Sequence, residues 1–167
     1  MFKRAALCIA QGFGIGRIPF APGTFGSFLG FGWFLLLLVP GNTAFFLTAI
    51  LFSFFVAVMS SESAEKILRQ KDPGSVVIDE IIAIPICFLG WMAAMGIMPS
   101  PGWFLTDGHW KGSLAILIAF RIFDIWKPWP VRQSQRLPNG WGVTVDDVLA
   151  AIYVAVASWL FAVLAGR

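Results

Sequence analysis

Apolar residues run along this chain in long blocks separated by short polar stretches, instead of recurring at the spacing of a half-buried helix or strand. A helix needs about 20 mainly apolar residues to cross a bilayer. The blocks predict about five spans: Thr24 to Val39, Thr43 to Ser60, Val76 to Met98, Gly112 to Trp126 and Thr144 to Ala165. "PGN" at Pro40 to Asn42 makes a tight turn, and "SESAEKILRQKDPGS", Ser60 to Ser75, reads as a polar connection. Pro99, Pro101 and Gly102 open a loop that runs to Lys111, and "KPWPVRQSQRLPNGWG" is a basic, Pro-rich loop. The expectation is an all-α integral membrane protein: one domain over residues 1–167, a compact bundle of about five membrane helices behind a Gly-rich N-terminal loop.

Composition agrees with that solvent. Hydrophobic residues make up 58% of the chain and charged residues 13%, with a mean hydropathy of +0.80, against roughly 25% charged in soluble domains. The net charge of +3 is modest for a nucleic-acid binder. Its basic residues lie between apolar blocks, which points to anionic lipid headgroups and away from nucleic acid. Cys8 and Cys87 sit among apolar neighbours with no paired spacing, so neither a disulfide framework nor a zinc site is indicated. "MFKRAALCIAQGFG" has too short an apolar run for a signal peptide and is expected to belong to the mature chain. With the N-terminus in the cytoplasm, Lys3, Arg4, Arg17, Lys66, Arg69, Lys71, Lys127, Arg132 and Arg136 lie inside, while Lys111 and Arg167 lie outside, in keeping with the positive-inside rule. Trp103 and Trp110 at one side, and Trp126, Trp129 and Trp141 at the other, fit interfacial belts.

This topology gives the acidic residues a common address. Asp79 and Glu80 start the third span, Asp124 closes the fourth, and Asp146 and Asp147 start the fifth, so antiparallel packing of neighbours is expected to bring five carboxylates together. Like charges withdrawn from water need cations or protons to hold them. Arg121, Asp124 and Lys127, spaced by three, share a helix face and supply some positive charge. A bound divalent ion would supply the rest, and an all-carboxylate set favours Mg2+, Mn2+ or Ca2+ over zinc. The plainer alternative is helix capping, since carboxylates in a first turn are favoured by the macrodipole. Capping accounts for one acid per helix, hardly for two, and has the wrong sign for Asp124 at a helix end.

"GFGIGRIPFAPGTFGS", Gly12 to Ser27, places five glycines and two prolines on the same side. Such a stretch can expose successive N–H groups to an anion, with Thr24 and Ser27 adding hydroxyls, or it can be a plain re-entrant turn. The GxxxxGK[ST] phosphate loop is absent.

Together "GFGIGRIPFAPGTFGS", "VVIDEIIA", "FRIFDIWKPWPV" and "GVTVDDVLAA" resemble, in order and spacing, the motifs of the phosphatidylglycerophosphatase A family. The resemblance implies an Mg2+-dependent phosphatase of the bacterial inner membrane. It would remove the terminal phosphate of phosphatidylglycerophosphate to give phosphatidylglycerol, with its active site facing the cytoplasm. The family's acidic positions match Asp79, Glu80, Asp124, Asp146 and Asp147, its basic position matches Lys127, and its Gly-rich loop matches Pro22 to Ser27. In the mechanism expected, the carboxylates hold Mg2+, and Lys127, with Arg121 or Arg17 behind it, grips the nonreacting phosphate oxygens. Backbone N–H groups around Gly23 and Gly26, with Ser27, complete the cradle. The nucleophile is left open between a water, Thr24, which could equally be a phosphate or metal contact only, and an aspartate that forms a phosphoenzyme.

Two other classes compete with this reading. The same carboxylates could line a divalent-cation transporter or channel, although the outer halves of the spans offer almost no polar residues. A structural subunit docking through "WKPWPVRQSQR" would leave the clustered acids unexplained. Glu62, Glu65 and Asp72 are expected to form a solvated face, and the sequence is silent on oligomeric state. His109, the lone histidine, falls in the loop placed outside. His109→Ala is therefore expected to release phosphate at the parent rate; loss of activity in a folded variant would overturn this topology.

Overall fold

The computed structural model describes residues 2–106 and 108–165, apart from the side chains of Phe2 and Lys3, and among these residues all regular structure is helical. Seven α-helices follow in order: α1 (Phe2–Ala10), α2 (Pro22–Leu38), α3 (Thr43–Leu68), α4 (Ile78–Met95), α5 (Trp110–Trp126), the single turn α6 (Val131–Ser134) and α7 (Gly140–Leu164). Short 3-10 turns occupy Gly12–Arg17 and Pro101–Leu105. Three helices, α3, α4 and α7, are long and apolar enough to cross a membrane. The other two expected spans, α2 and α5, are 17 residues each. Arg167 and the side chain of Lys3, both used in the charge count, lie outside the described residues.

Three boundaries depart from expectation, one being the last span, which begins at Gly140 rather than Thr144 and so moves Asp146 and Asp147 out of its first turn. The second span does not end at Ser60: α3 runs on through "SESAEKIL", because Ser61 and Ala64 bury one face of it while Glu62 and Lys66 pair across one turn on the other. It stops at Arg69, whose left-handed backbone (φ 53°) closes the last turn. The Gly-rich stretch is also more helical than a loop. Pro22 sits at the first position of α2, where its missing N–H costs nothing, so Gly23 to Ser27 already lie on helix. The short N-terminal run forms α1, tied to the head of α4 by the Val77 N–H donating to the Ala10 carbonyl at 2.9 Å.

α2, α4 and α7 pack parallel to one another, as the first, third and fifth of alternating spans should, since Gly23 meets Glu80 while Gly30 meets Ile84, and Asp79 lies by Asp147 while Gly90 meets Ala155. Glycine makes these approaches possible. A Cβ at Gly90 would lie 1.7 Å from the Ala155 carbonyl oxygen, and one at Gly30 would lie 2.9 Å from the Ile81 carbonyl. That Ile81 carbonyl is the one Pro85 leaves without its helical partner, so the α2 backbone closes over it. α5 runs the opposite way and returns its last turn to the heads of α2, α4 and α7. At the same end lie residues 11–21, 69–77 and 127–139, stitched by Gln11 to Ser75 and by Lys71 to the Gln135 carbonyl. The opposite half is filled by Phe34, Phe88 and Phe104, all fully buried, with the first two stacked at 4.2 Å.

Gly90→Ala should lower thermal stability by roughly 1–3 kcal/mol, because even one methyl must displace the α7 backbone. Gly32, on an open helix face where an added Cβ meets nothing, is the control: Gly32→Ala should melt at or slightly above the parent temperature in detergent, since Ala is the better helix former.

Candidate phosphate and metal site

A polar pocket of about 250 Å³ opens where the heads of α2, α4 and α7 meet the end of α5. Six carboxylates border it, Asp72, Asp79, Glu80, Asp124, Asp146 and Asp147, against two cations, Arg121 and Lys127. Asp79, Asp124, Asp146 and Asp147 are buried. All five acids expected at this address are there.

Capping does not explain them. α7 begins at Gly140, so Asp146 and Asp147 sit in its second turn, beyond the reach of the terminal dipole. Only Asp79 and Glu80 occupy a first turn. The burial must be offset by something else, and for two acids the partners are visible. Asp124 meets Arg121 at 2.7 Å and Lys127 at 3.8 Å. Asp146 accepts from Lys127 at 2.5 Å and from the Gln135 amide at 3.0 Å. Lys127 reaches both because it ends α5 in a left-handed conformation (φ 46°), which folds its side chain back over the pocket. Burial opposes the charge on Lys127, yet Asp146, with Asp147 and Asp124 behind it, holds its pKa above the ordinary lysine value. It is therefore a fixed cation at neutral pH, and its own charge is lost only as the pH rises through that raised value.

The remaining acids are left with orphan atoms. Asp79 Oδ1, Glu80 Oε2 and Asp147 Oδ2 are buried with no hydrogen-bond partner, as is Asp146 Oδ1. One oxygen from each of Asp79, Glu80 and Asp147 falls within 4.8 Å of the others, the spacing of a shared cation. Ionised carboxylates only accept, so these oxygens fit a hard cation and not one another. Beside them Arg121 reaches Glu80 at 3.4 Å while its buried Nε has no acceptor. Orphan acceptors thus lie next to an orphan donor.

The Gly-rich stretch contributes closeness more than a cradle of N–H groups. A Cβ at Gly23 would fall 2.1 Å from Glu80 Oε1 and 2.8 Å from an Arg121 nitrogen, and one at Gly26 would lie 3.1 Å from Glu80 Oε2. The Thr24 N–H already bonds the Ala21 carbonyl, and the Ser27 hydroxyl turns back to the Gly23 carbonyl at 2.9 Å. Thr24 borders a neighbouring apolar groove rather than the acidic pocket. Arg17 is exposed and donates to Gln11 at 2.8 Å, away from the pocket lining.

Two participants escaped the sequence pattern. Asp72, expected on a solvated face with Glu62 and Glu65, is exposed but stands at the rim of the pocket, its N–H held by Glu65 at 2.9 Å. Gln135, in the Pro-rich loop, buttresses Asp146. His109 stacks on Trp103 at 3.7 Å, at the other end of the molecule from the carboxylates.

Residues 8–162 match the sequence model of the family described as phosphatidylglycerophosphatase A. A Haemophilus influenzae phosphatidylglycerophosphatase A is 37% identical over 151 residues, covering 89% of this chain and 83% of its own length. The Escherichia coli K12 protein of that name is 30% identical, covering 88% and 77%. A Bacteroides thetaiotaomicron protein, named provisionally as a phosphatidylinositol-3-phosphatase, is 35% identical, covering 91% and 92%. No solved structure gives a significant match. On the breadth of the family match, the chain is a member of the phosphatidylglycerophosphatase A family.

Proposed function

We propose that this protein is an Mg2+-dependent phosphatidylglycerophosphatase. It would lie in the bacterial inner membrane with its N-terminus and the acidic pocket on the cytoplasmic side. The reading rests above all on the orphan oxygens of Asp79, Glu80 and Asp147 set against the orphan Nε of Arg121. A site short of both a cation and an anion suits a metal ion and a phosphate monoester together. The names of two relatives supply the substrate.

Asp79, Glu80 and Asp147 would hold the ion, whose chemistry when bound is to neutralise charge on phosphoryl oxygens and to acidify water. Arg121 and Lys127 grip the nonbridging oxygens and stabilise the charge that grows on them. Asp124 and Asp146 fix those two cations in place. Water attacks phosphorus in line and the ester P–O bond breaks. The displaced water proton, taken up by a pocket carboxylate, ends on the departing glycerol oxygen. The position of Thr24 outside the pocket lining favours water over a threonyl phosphoenzyme. The aromatic fill of Phe34, Phe88 and Phe104 beyond the carboxylates disfavours an ion-conducting path.

Purified protein in detergent should release phosphate from phosphatidylglycerophosphate with Mg2+ and none with EDTA. Asp79→Asn, Asp147→Asn and Lys127→Gln should each lower kcat by about 100-fold or more while remaining folded. No release with any divalent ion would retire the reading. Phosphatidylinositol 3-phosphate, tested beside it, decides whether the name of the Bacteroides relative extends to this chain.

Ion binding should also be visible without turnover. Mg2+ should raise the melting temperature of the parent and leave Asp147→Asn unmoved. In EDTA, Asp147→Asn should melt above the parent, because it removes one of several buried like charges.

A further inference from the structure

A phospholipid whose phosphate sits among these carboxylates must send its acyl chains out between helices, and most seams around the pocket are shut. α2 and α4 touch backbone to backbone at Gly26 and Gly30. α4 and α7 do so at Gly90. α5 and α7 are closed by Phe123 stacked on Tyr153 at 5.5 Å, with the Tyr153 hydroxyl donating to the Trp129 carbonyl at 2.7 Å. The seam between α2 and α5 is different. There a groove of about 200 Å³ runs along the outside, with Thr24 and Phe28 on one wall and Leu114, Leu117 and Ile118 on the other. Arg121 belongs to both this groove and the acidic pocket.

We infer that the α2–α5 groove binds one acyl chain of the phospholipid substrate, so that the lipid reaches the pocket sideways from the bilayer and Arg121 marks the junction between headgroup and tail. The inference rests on the lipid-phosphatase reading above and adds where the lipid lies. From Arg121 to Leu114 the groove follows two helical turns, about 10 Å of axis, or a third of a hydrocarbon core of about 30 Å. It therefore takes the first methylenes of the chain and leaves the remainder among bulk lipid. A wider apolar groove of about 790 Å³ lies between α2 and α3. That groove meets α4 at Ile78, Ile81 and Ile82 and shares no lining residue with the carboxylates, so it does not serve the same lipid.

The test compares long-chain phosphatidylglycerophosphate in mixed micelles with its deacylated, water-soluble headgroup. Ile118→Trp and Leu114→Trp, which fill the groove, should raise KM for the lipid about tenfold or more and leave KM and kcat for the headgroup unchanged. Thr48→Trp, in the wide groove, should change neither. Equal loss on both substrates, or no loss on either, would overturn the inference. Crosslinking of the unmodified protein reads the site without a variant that must fold. A phosphatidylglycerophosphate carrying a diazirine on its acyl chain should label Phe28 and residues 114–122, and the label should fall with excess unlabelled substrate but not with phosphatidylcholine. Labelling centred on Thr48 and Phe52, or insensitive to competitor, would exclude the groove. Absence of phosphate release from both substrates by the parent would instead sink the phosphatase reading, and the labelling pattern would still decide the groove.

Discussion

Several carboxylates withdrawn from water on the same side of a small bundle repel one another, and everything around them can be read as a response to that repulsion. Arg121 and Lys127 absorb two of the charges, and Gln135 braces one of those pairs. The head of α4 places Asp79 and Glu80 in a first turn, where the helix dipole favours them. These compensations reach Glu80 only through its Oε1, which meets Arg121, and leave Asp79 Oδ1, Glu80 Oε2 and Asp147 Oδ2 buried without partners. A fold that leaves such groups unpaired carries an uncompensated desolvation cost at a pocket where a ligand can relieve it.

Holding that arrangement requires short distances between helices, and the glycines set them. At Gly23 the available space is occupied by the Glu80 carboxylate and the Arg121 guanidinium, so the same absent side chain both packs α2 on α4 and admits the ion pair. The Gly-rich stretch of this chain thus acts as a spacing device more than as a run of free backbone donors. Lys127 shows the complementary device. Its left-handed backbone ends α5 and turns the ammonium inward, which joins the Pro-rich loop to Asp146 on α7.

Most of this was legible in the chain. Long apolar blocks located the helices, and acids at block ends gave the convergence of Asp79, Glu80, Asp124, Asp146 and Asp147, because burial of a charge in a hydrophobic run demands a reason whatever the fold. What hydropathy misplaced were boundaries and partners. Polar "SESAEKIL" is helical because Ser61 and Ala64 pack inward, a tertiary effect invisible to a sliding average. The direct, close packing of α4 on α7, two helices separated in sequence by α5, is carried by the contact of Gly90 with Ala155, which hydropathy does not register. Asp72 and Gln135 lie in polar loops, where nothing in composition separates a rim residue from a solvated one.

The fully buried aromatic fill of Phe34, Phe88 and Phe104 has a further consequence once the helices stand in a bilayer. A membrane that stores energy as a proton gradient tolerates no wet acidic cleft continuous from face to face, since carboxylates and water would carry protons down the gradient. Stacked phenyl rings offer neither a hydrogen-bond donor nor room for a file of water. They make the acidic pocket a dead end, so carboxylates and water gathered at one end of the bundle have no wet path to the other.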